Sequence, residues 1–573
     1  MENYDRLRTM LSESFDTESN VSTTWYVMDA TSKDKAMQWR IKTPKLPTNY
    51  VVDKLRDEIA TKLDLQENEL GTCAQISFPI KLSQVLTNEM QKGFLRGVVS
   101  TTPEDAVIRL ELFISGDAHG IHRGVKVTRI TFKLKVENMV FNNSPFQMYT
   151  VVFFRGSDNY ANLQEHNTTF SRELSVLAKT PLTVGGRQFS IKLTHGSDLL
   201  FICASLAHYG VHGQYPCPFC FGEKDELLDT SKDFELRTYQ KILELVHRAK
   251  PPFTCPAEGC KKHFPNQRAV DNDTLPTTKS GKKEQVRKHY GHFMHCQPVF
   301  PVWECEDVDT VISACIACLL HWLLRLIDLL FLFTIHIRAD DEEKADALSK
   351  LLQHKGVSLN KKVKPYDAMR ASKSRGDKTT FIGEHSASVL AEYSDYLDLH
   401  TPESRKDTYE DMWLVTYEFF ELMWKDVEDT PENREAHAAE VWEKAKEMSD
   451  AITDGVPAIH SLYLHISLHL PLFIRKHGCN LRQYSGHGGE HLNKLGQMFA
   501  HAFTNKRMRV YRDKKTGGEK RQRVGMIGQN LRAEHVAGHV REAVPILTKW
   551  ERKVMRLAAA DQKKDDEEEA TTV

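Results

Sequence analysis

Residues 107–117 read VIRLELFISGD, a stretch in which apolar side chains occupy every second position. The apolar set is Ile108, Leu110, Leu112 and Ile114, and apart from Phe113 the positions between them are polar. A period of two is typical of a β-strand with one buried face. Gly116 and Asp117 are turn formers, so we expect the strand to stop there and to hold the Asp117 carboxylate at its end.

Further strand-like stretches follow at residues 130–136 and 148–154, and a polar helical stretch covers residues 163–177. A fourth strand has Phe189, Ile191 and Leu193 on its inner face and closes at Asp198. Three strands, a helix and a strand occur in this order in a ribonuclease-H-like sheet. The pattern then becomes mostly helical for about 240 residues. We therefore predict an α/β fold whose mixed sheet is interrupted by a large helical insertion.

Within the insertion, Thr430, Pro431 and Glu432 have the residue types of an N-cap, a first helical position and a first-turn acid. Residues 311–333 are apolar enough to suggest a membrane span, but His321, Arg325 and Asp328 lie in the middle. Their spacing places all three on one helical face. We interpret the stretch as a single buried helix with a polar stripe and expect no membrane partner.

The composition argues against a disordered scaffold. The chain has 573 residues, of which 40% are hydrophobic and 27% charged, as in soluble globular proteins. Its net charge of -1 means that any nucleic-acid binding depends on local basic patches. Eleven cysteines and an opening without an apolar leader predict a reducing compartment, with metal-bound or free thiols in place of disulfides.

A third notable carboxylate lies in residues 485–494, which read SGHGGEHLNK. Glycines lead into a predicted helix whose first turn carries Glu490 and whose apolar stripe starts at Leu492. Two aspartates behind strands and a later glutamate on a helix can hold two divalent ions for phosphodiester cleavage. Each acid also has an ordinary interpretation: Asp117 as a turn former, Asp198 as an N-cap and Glu490 as a first-turn acid.

Metal-binding chemistry of another kind is predicted by the pair Cys217 and Cys220, whose CxxC spacing suits two thiolates on one tetrahedral zinc ion. His465 and His469 are four residues apart, so on one helix they share a face and can complete the set. His460 is the substitute. The alternatives are a redox pair or buried thiols for the cysteines, and a packed or solvated helix face for the histidines.

A second cluster either binds another zinc ion or is a polar loop; it comprises Cys255, Cys260, His263, His289, His292, His295 and Cys296. Residues 506–523 are strongly basic and follow the Glu490 helix, which favours contact with a DNA backbone over a solvated loop. The DNA-binding candidates are Lys506, Arg507, Arg509, Arg512, Lys514 and Lys515.

These residues resemble the Transib transposases and the catalytic subunit of V(D)J recombination. The resemblance is carried by His469, Glu490 and Asn493 in one segment, and by Asp198 nineteen residues before Cys217. Asp117 is similar to the family's first catalytic aspartate. The resemblance implies a ribonuclease-H-like core, a helical zinc-binding insertion, a homodimer on double-stranded DNA with or without an accessory subunit, and cut-and-paste chemistry.

We accordingly expect five parts: an N-terminal region without assigned role (1–100), the first part of the core (101–222), a helical zinc-binding insertion (223–478), a catalytic helix with a basic segment (479–545) and an acidic, disordered tail (546–573). The leading hypothesis is a nuclear DDE-type DNA transposase or recombinase with catalytic Asp117, Asp198 and Glu490. It would use two Mg²⁺ or Mn²⁺ ions and one structural Zn²⁺.

The alternative hypothesis is a domesticated DNA-binding or chromatin protein that keeps the fold and the zinc but does not cut. A zinc hydrolase acting on small substrates is disfavoured, because four protein ligands leave no open position for water.

Overall fold

A computed structural model of the chain describes residues 65–122, 125–137, 139, 147–208, 215–248, 253–254, 263–264, 297–306, 308–334, 342–354, 389–390, 393–456, 461–484, 493, 508–512, 519–523 and 531. The chain divides into two compact units: residues 78–493 form one, and residues 1–77 with 494–573 form the other. In the second unit β1 (Leu65–Glu67) pairs with β2 (Cys73–Ile76), and β11 (Met508–Arg512) pairs with β12 (Glu519–Arg523).

A mixed sheet forms the centre of the 78–493 unit. Its strands are β3 (Val107–His122), β4 (Val125–Val136), β5 (Tyr149–Arg155), β6 (Leu182–Val184), β7 (Arg187–Ser197) and β10 (Cys315–Ala317). Their spatial order is β5-β4-β3-β7-β10, with β6 paired to β7. The β3, β4 and β5 neighbours are antiparallel, whereas β7 is parallel to β3 and β10 is parallel to β7.

One face of this sheet is apolar and is covered by helices. The Phe132 ring of β4 packs edge-on against Phe78, 5.2 Å between centroids, and Phe78 packs in the same way on Phe170 at 5.0 Å. Phe78 begins α1 (Phe78–Lys92) and Phe170 lies in α3 (Tyr160–Lys179). The alternating apolar side chains of the strands therefore face a helical layer, as their period of two predicts.

The predicted strand at 107–117 is longer than expected, and from Leu110 to Ile114 it is buried on both faces, whereas Val107 and Arg109 are exposed. It pairs with β4 through Asp117 and on to His122, so Asp117 lies within the strand and not at a turn. On the face expected to meet solvent, Glu111 and Lys133 are 6% and 2% exposed. The prediction of a half-buried strand was wrong because segments from the distant helical region cover the polar face.

The predicted single helix at 311–333 was also wrong. A short helix α6 (Val311–Ala314) leads into β10, and a new helix α7 (Leu319–Thr334) follows. A β-carbon on Gly196 of β7 would lie 2.1 Å from the Ile316 carbonyl oxygen, so the glycine lets β10 approach β7. Among the described residues no helix combines the length and apolar character that a bilayer span requires.

The described part of residues 223–478 is mostly helical. Besides α2 (Leu95–Thr101) and α4 (Leu199–Ser205) near the sheet, the helices are α5 (Tyr239–Arg248), α8 (Glu342–His354), α9 (Tyr393–His400), α10 (Glu403–Trp424), α11 (Pro431–Gly455), α12 (Leu462–Ser467) and α13 (Leu470–His477). The predicted start of α11 is confirmed, since the Thr430 side chain accepts a hydrogen bond from the Asn433 amide. A short hairpin joins β8 (Phe253–Thr254) to β9 (His263–Phe264). The predicted mixed α/β class is confirmed.

Candidate metal centres

Four metal-binding side chains from remote parts of the sequence meet in one buried cluster. Cys217, Cys220, His465 and His469 each offer a ligand atom, and all four atoms lie within 4.8 Å of one another. Cys220 Sγ is 3.2 Å from His465 Nε2, Cys217 Sγ is 3.5 Å from His469 Nε2, and the two imidazole nitrogens are 3.0 Å apart. The cluster can hold a zinc ion.

The cysteine side of the cluster is a turn whose backbone amides point at sulfur. The Phe219 amide donates to Cys217 Sγ and the Gly222 amide donates to Cys220 Sγ, each at 3.4 Å. Hydrogen bonds of this kind favour the charged thiolate, which is the form that binds metal. Both cysteines are free thiols, so the redox-pair alternative finds no disulfide here.

The histidine side differs in detail from the prediction that both residues lie on one helix. His465 lies in α12, which ends at Ser467, and His469 lies in the turn before Leu470. His465 Nδ1 lies 2.6 Å from the Leu227 carbonyl oxygen, so it donates its proton there and leaves the Nε2 lone pair for metal. His460, the substitute ligand, lies outside the described residues.

The geometry suits a closed, structural zinc site. Tetrahedral zinc with its usual bond lengths places N and S ligands about 3.3–3.8 Å apart, close to the separations in this cluster. Four protein ligands leave no coordination position for a reacting water. The cluster therefore joins the segment after α4 to the α12–α13 segment, 245 residues apart along the chain for the Cys220 and His465 pair.

Electrostatics at the cluster favour one thiolate even without metal. A hydrogen bond from Cys217 holds the pKa of Cys220 well below its usual range against the effect of burial, and His465 and His469 add to that effect. Burial raises the pKa of Cys217, the proton donor of the pair. A bound zinc ion would remove this remaining proton, because zinc deprotonates coordinating thiols.

Arg237 is a member of this site that has no signal in the sequence. Its guanidinium is fully buried, its Nε donates to the Cys217 carbonyl oxygen at 2.9 Å, and its Cζ lies 4.4 Å from the centre of the Phe221 ring. Burial lowers the pKa of Arg237 to about 10, and the nearby Cys217 and Cys220 oppose that shift. A buried cation beside two thiolates offsets part of their charge and fixes the cysteine turn.

The two aspartates of the predicted acid site lie side by side. The parallel pairing of β3 with β7 runs as far as Ile114 and His195, three residues before Asp117 and Asp198. The Ser197 hydroxyl donates to the Gly116 carbonyl oxygen at 2.6 Å and ties the two chains together at this point. Adjacent parallel strands therefore present both carboxylates at one edge of the sheet.

Each aspartate has a further contact. Asp198 caps α4, with Oδ1 accepting a hydrogen bond from the Phe201 amide at 2.8 Å, so its interpretation as an N-cap is confirmed. Asp117 Oδ2 accepts a hydrogen bond of 2.6 Å from Asn493 Nδ2. Asn493 is buried, and it stands three residues after Glu490 in sequence.

Asp158 is a third carboxylate at this edge, and the sequence does not single it out. It follows β5 and precedes α3. Burial raises the pKa of Asp158 to about 6, and repulsion from Asp198 and Asp117 adds to the effect. Asp158 is therefore within electrostatic range of both aspartates.

The polar stripe of α7 faces the same group. His321 Nδ1 lies 3.2 Å from Cys318 Sγ, and Cys318 follows β10 with its amide bonded to the Ser197 carbonyl. Burial lowers the pKa of His321, but Cys318, Asp198 and Asp117 outweigh burial and raise it to about 9. Farther along the stripe, Arg325 forms an ion pair of 3.1 Å with Asp328. The predicted stripe therefore borders the acidic edge.

The acidic edge is looser than the zinc cluster. Among the described residues, the Cys217 group is the only set of three or more possible metal ligands whose atoms lie within 4.8 Å of one another. Asp117, Asp198 and Asp158 share an electrostatic environment without that close approach. Repulsion between carboxylates opposes a tighter arrangement unless a cation is present.

Several other predicted site residues lie outside the described part of the chain. Glu490 is among them, as are Lys506, Arg507, Lys514 and Lys515, and in the second cluster Cys255, Cys260, His289, His292, His295 and Cys296. Arg509 and Arg512 lie on β11, and β12 pairs with it so that Arg509 faces Gln522 across the hairpin. His263 lies on β9 opposite Thr254.

Comparison with family models and with curated proteins found no match to this chain.

Replacing His469 by alanine should remove about one zinc ion per chain, because three remaining ligands hold zinc less tightly than a closed set of four. The zinc content of purified protein, measured by mass spectrometry after dialysis, checks this. Cys203→Ala is the matched control, since Cys203 is a buried thiol outside the cluster, and it should keep the ion. Equal zinc in His469→Ala and the parent protein would contradict the assignment.

Replacing Asp158 by asparagine should stabilise the metal-free protein above about pH 6. Burial raises the pKa of Asp158 to about 6 in the folded state, so its protonated form stabilises the fold at low pH. That stability is lost as pH rises through about 6, where ionised Asp158 meets Asp198 and Asp117. The asparagine variant avoids this loss. In thermal melts with chelator, its melting temperature should exceed that of the parent protein at pH 7.5 and equal it near pH 4. A constant difference across this range would be inconsistent with the repulsion.

Proposed function

We propose that this protein is a DDE-type DNA transposase or recombinase, with catalytic Asp117, Asp198 and Glu490. The observation that carries the proposal is the hydrogen bond from Ser197 to Gly116, which brings the residues before Asp198 and Asp117 together, with Asn493 hydrogen-bonded to Asp117. This bond places Asn493, which is three residues after Glu490 in sequence, beside Asp117. Three acids from remote sequence positions are the ligands that two-metal phosphodiester cleavage uses.

The strand order supports a ribonuclease-H-like sheet for this core. Three antiparallel strands, β5, β4 and β3, are followed by two strands parallel to β3, in the spatial order β5-β4-β3-β7-β10. Asp117 lies in β3, and Asp198 directly follows β7. Ligands of mixed α/β sheets bind beyond the carboxyl ends of parallel strands, where Asp198 stands.

The sequence supports the position of Glu490. The predicted helix that begins near Glu490 includes Asn493, and residues three apart share a helical face. The side of that helix that meets Asp117 through Asn493 is therefore the side on which Glu490 is expected. Asp158 adds a further carboxylate to the same edge, and His321 adds a cationic group within electrostatic range of both aspartates.

Two Mg²⁺ or Mn²⁺ ions bound by these acids would supply charge stabilisation for the attacking and leaving oxygens. The side chains hold the reactants in line on the rigid sheet edge. Water attacks the phosphorus, the bond to the 3′ oxygen breaks, and the 3′-hydroxyl leaves with a proton. In the second step this hydroxyl attacks another phosphodiester, so one phosphorus–oxygen bond forms as another breaks and the number of bonds is conserved.

Double-stranded DNA is the proposed substrate, and the basic hairpin is the proposed contact. Strands β11 and β12 contain five Lys or Arg residues and one Glu in ten positions. A basic two-stranded ribbon matches the charge of the phosphate backbone. The proposal also includes a homodimer, with or without an accessory subunit, acting in the nucleus.

A domesticated protein that binds DNA without cutting it is the second candidate. Such a protein would keep the sheet and the cysteine and histidine cluster, both of which the described residues contain. A zinc hydrolase is disfavoured, since the four ligands of that cluster leave no place for water.

Nicking of supercoiled DNA in the presence of Mn²⁺ tests the proposal. We expect activity in the parent protein and a loss of at least a hundredfold in Asp198→Ala and in Glu490→Gln, because each removes a metal ligand. Both variants should keep DNA affinity in a gel-shift assay, and Glu490→Gln should keep its zinc. Binding without nicking by the parent protein would favour the domesticated alternative and rule out the catalytic proposal.

A further inference from the structure

A charged pair lies inside the sheet on the face that was expected to meet solvent. Glu111 on β3 and Lys135 on β4 are opposite each other in the register, with Lys135 Nζ 3.1 Å from Glu111 Oε2. Each residue is 6% exposed. The Thr194 hydroxyl of β7 donates to Glu111 Oε1 at 2.8 Å, so three neighbouring strands contribute to the pair.

A buried ion pair is a poor way to stabilise a sheet. Removing two charges from water costs several kcal/mol, and apolar residues of similar size often serve stability equally well. Buried polar groups that are fully hydrogen-bonded can instead specify one arrangement of the chain, since any other leaves a charge unpaired. The location of the partners of Glu111 and Lys135 therefore indicates what arrangement the pair specifies.

Those partners lie in the short segment after α13. The Tyr484 hydroxyl donates to Glu111 Oε1 at 3.0 Å, and Lys135 Nζ donates to Gln483 Oε1 and to the Tyr484 hydroxyl oxygen, both at 3.2 Å. Lys133 on the same face of β4 donates to the Gln483 carbonyl oxygen. Residues 483 and 484 are thus bonded to three charged side chains within the sheet.

The next described residue along the chain, Asn493, is bonded to the same strand. Glu111 and Asp117 are both odd-numbered positions of β3, so they lie on one face, and six residues of strand span about 20 Å. Tyr484 is bonded at the Glu111 end of this interval and Asn493 at the Asp117 end. The eight residues between them include Glu490. Both ends of the segment that carries Glu490 are therefore attached to one face of β3.

Upstream, the same segment begins at the zinc cluster. Helix α13 follows His469 directly and ends at Gly478, whose φ of +98° is a conformation that favours glycine. His477 Nε2 lies 2.7 Å from the Ile312 carbonyl oxygen, and the Cys479 amide donates to Asp429 Oδ1 at 3.0 Å. Arg482 Nη1 donates to the Trp424 carbonyl oxygen at 3.1 Å, so the helical region holds the chain as far as residue 482, and the Glu111 cluster adds the attachment to the sheet.

We propose that Glu111 and Lys135, acting through Gln483 and Tyr484, are positioning residues for the stretch between Tyr484 and Asn493, which carries the Glu490 that the proposed function assigns to the metal site. The inference rests on the proposed function, because it gives Glu490 a place in a metal site. It assigns the buried charges a role in alignment that an apolar pair cannot perform. Neither residue touches the reacting atoms.

The double variant Glu111→Met with Lys135→Met tests the inference. Two apolar side chains of similar length should keep the melting temperature within a few degrees of the parent. The single-turnover rate of DNA nicking should fall at least tenfold at saturating DNA, with DNA affinity unchanged. The Mn²⁺ concentration for half-maximal rate should rise at least fivefold, a change that a purely structural role would not produce.

Tyr484→Phe is a second, milder variant, and it keeps the test valid if the double variant fails to fold. It retains the ring but loses the hydrogen bonds to Glu111 and Lys135, so it should reproduce the rise in Mn²⁺ requirement in part. Lys192→Met is the matched control. Lys192 pairs with Glu111 in the β3–β7 register and is half-buried, but it carries no bond to residues 483 and 484.

Amide hydrogen exchange over residues 485–493 separates this inference from the proposed function. Faster exchange in the double variant and in Tyr484→Phe, but not in Lys192→Met, supports positioning even if the parent protein does not nick DNA. In that case the catalytic proposal alone fails. Unchanged exchange together with an unchanged Mn²⁺ requirement in a folded Tyr484→Phe and double variant would overturn the inference.

Discussion

The parallel pairing of β3 with β7 is the constraint on which the candidate active site depends. Together with the Ser197–Gly116 hydrogen bond, it brings close together two residues that are 81 positions apart in sequence, Asp117 and Asp198. Burial raises the pKa of the neighbouring Asp158, and repulsion from Asp198 and Asp117 adds to the effect, so the carboxylates oppose their own proximity. Hydrogen bonds within the sheet and the apolar layer beneath it must offset the free-energy cost of holding these carboxylates near one another.

The candidate zinc cluster has a different role in the same fold, namely attaching a distant segment of the chain. The segment that carries Glu490 follows a long helical region, and only tertiary contacts can return it to the sheet. The cluster ties α12 and the start of α13 to the turn that follows the Asp198 helix. Buried charged side chains on β3 and β4 then form hydrogen bonds with the chain at Tyr484, fifteen residues after His469. The candidate metal cluster and the buried hydrogen bonds thus hold successive parts of one segment.

Some of this arrangement was accessible from the residues alone, and some was not. The four zinc ligands were predictable because CxxC and a histidine pair have few other uses in combination. The strand at 107–117 was predictable from its period of two, but its burial was not, since alternation assigns Glu111 to solvent unless a distant segment covers it. Periodicity also missed β10, because a short apolar strand beside helices reads as part of a helix. Asp158 and Arg237 are single residues in ordinary surroundings, and only tertiary proximity gives them a role.

Anomalous diffraction from crystals of the full chain grown with Mn²⁺ tests the central claim most directly. The account predicts two manganese peaks about 3.5–4 Å apart at the edge of the sheet, with Asp117, Asp198 and Glu490 among their ligands. It also predicts a separate zinc peak within the cysteine and histidine cluster. Manganese absent from that edge while zinc occupies its cluster, or manganese bound without either aspartate, would contradict the account.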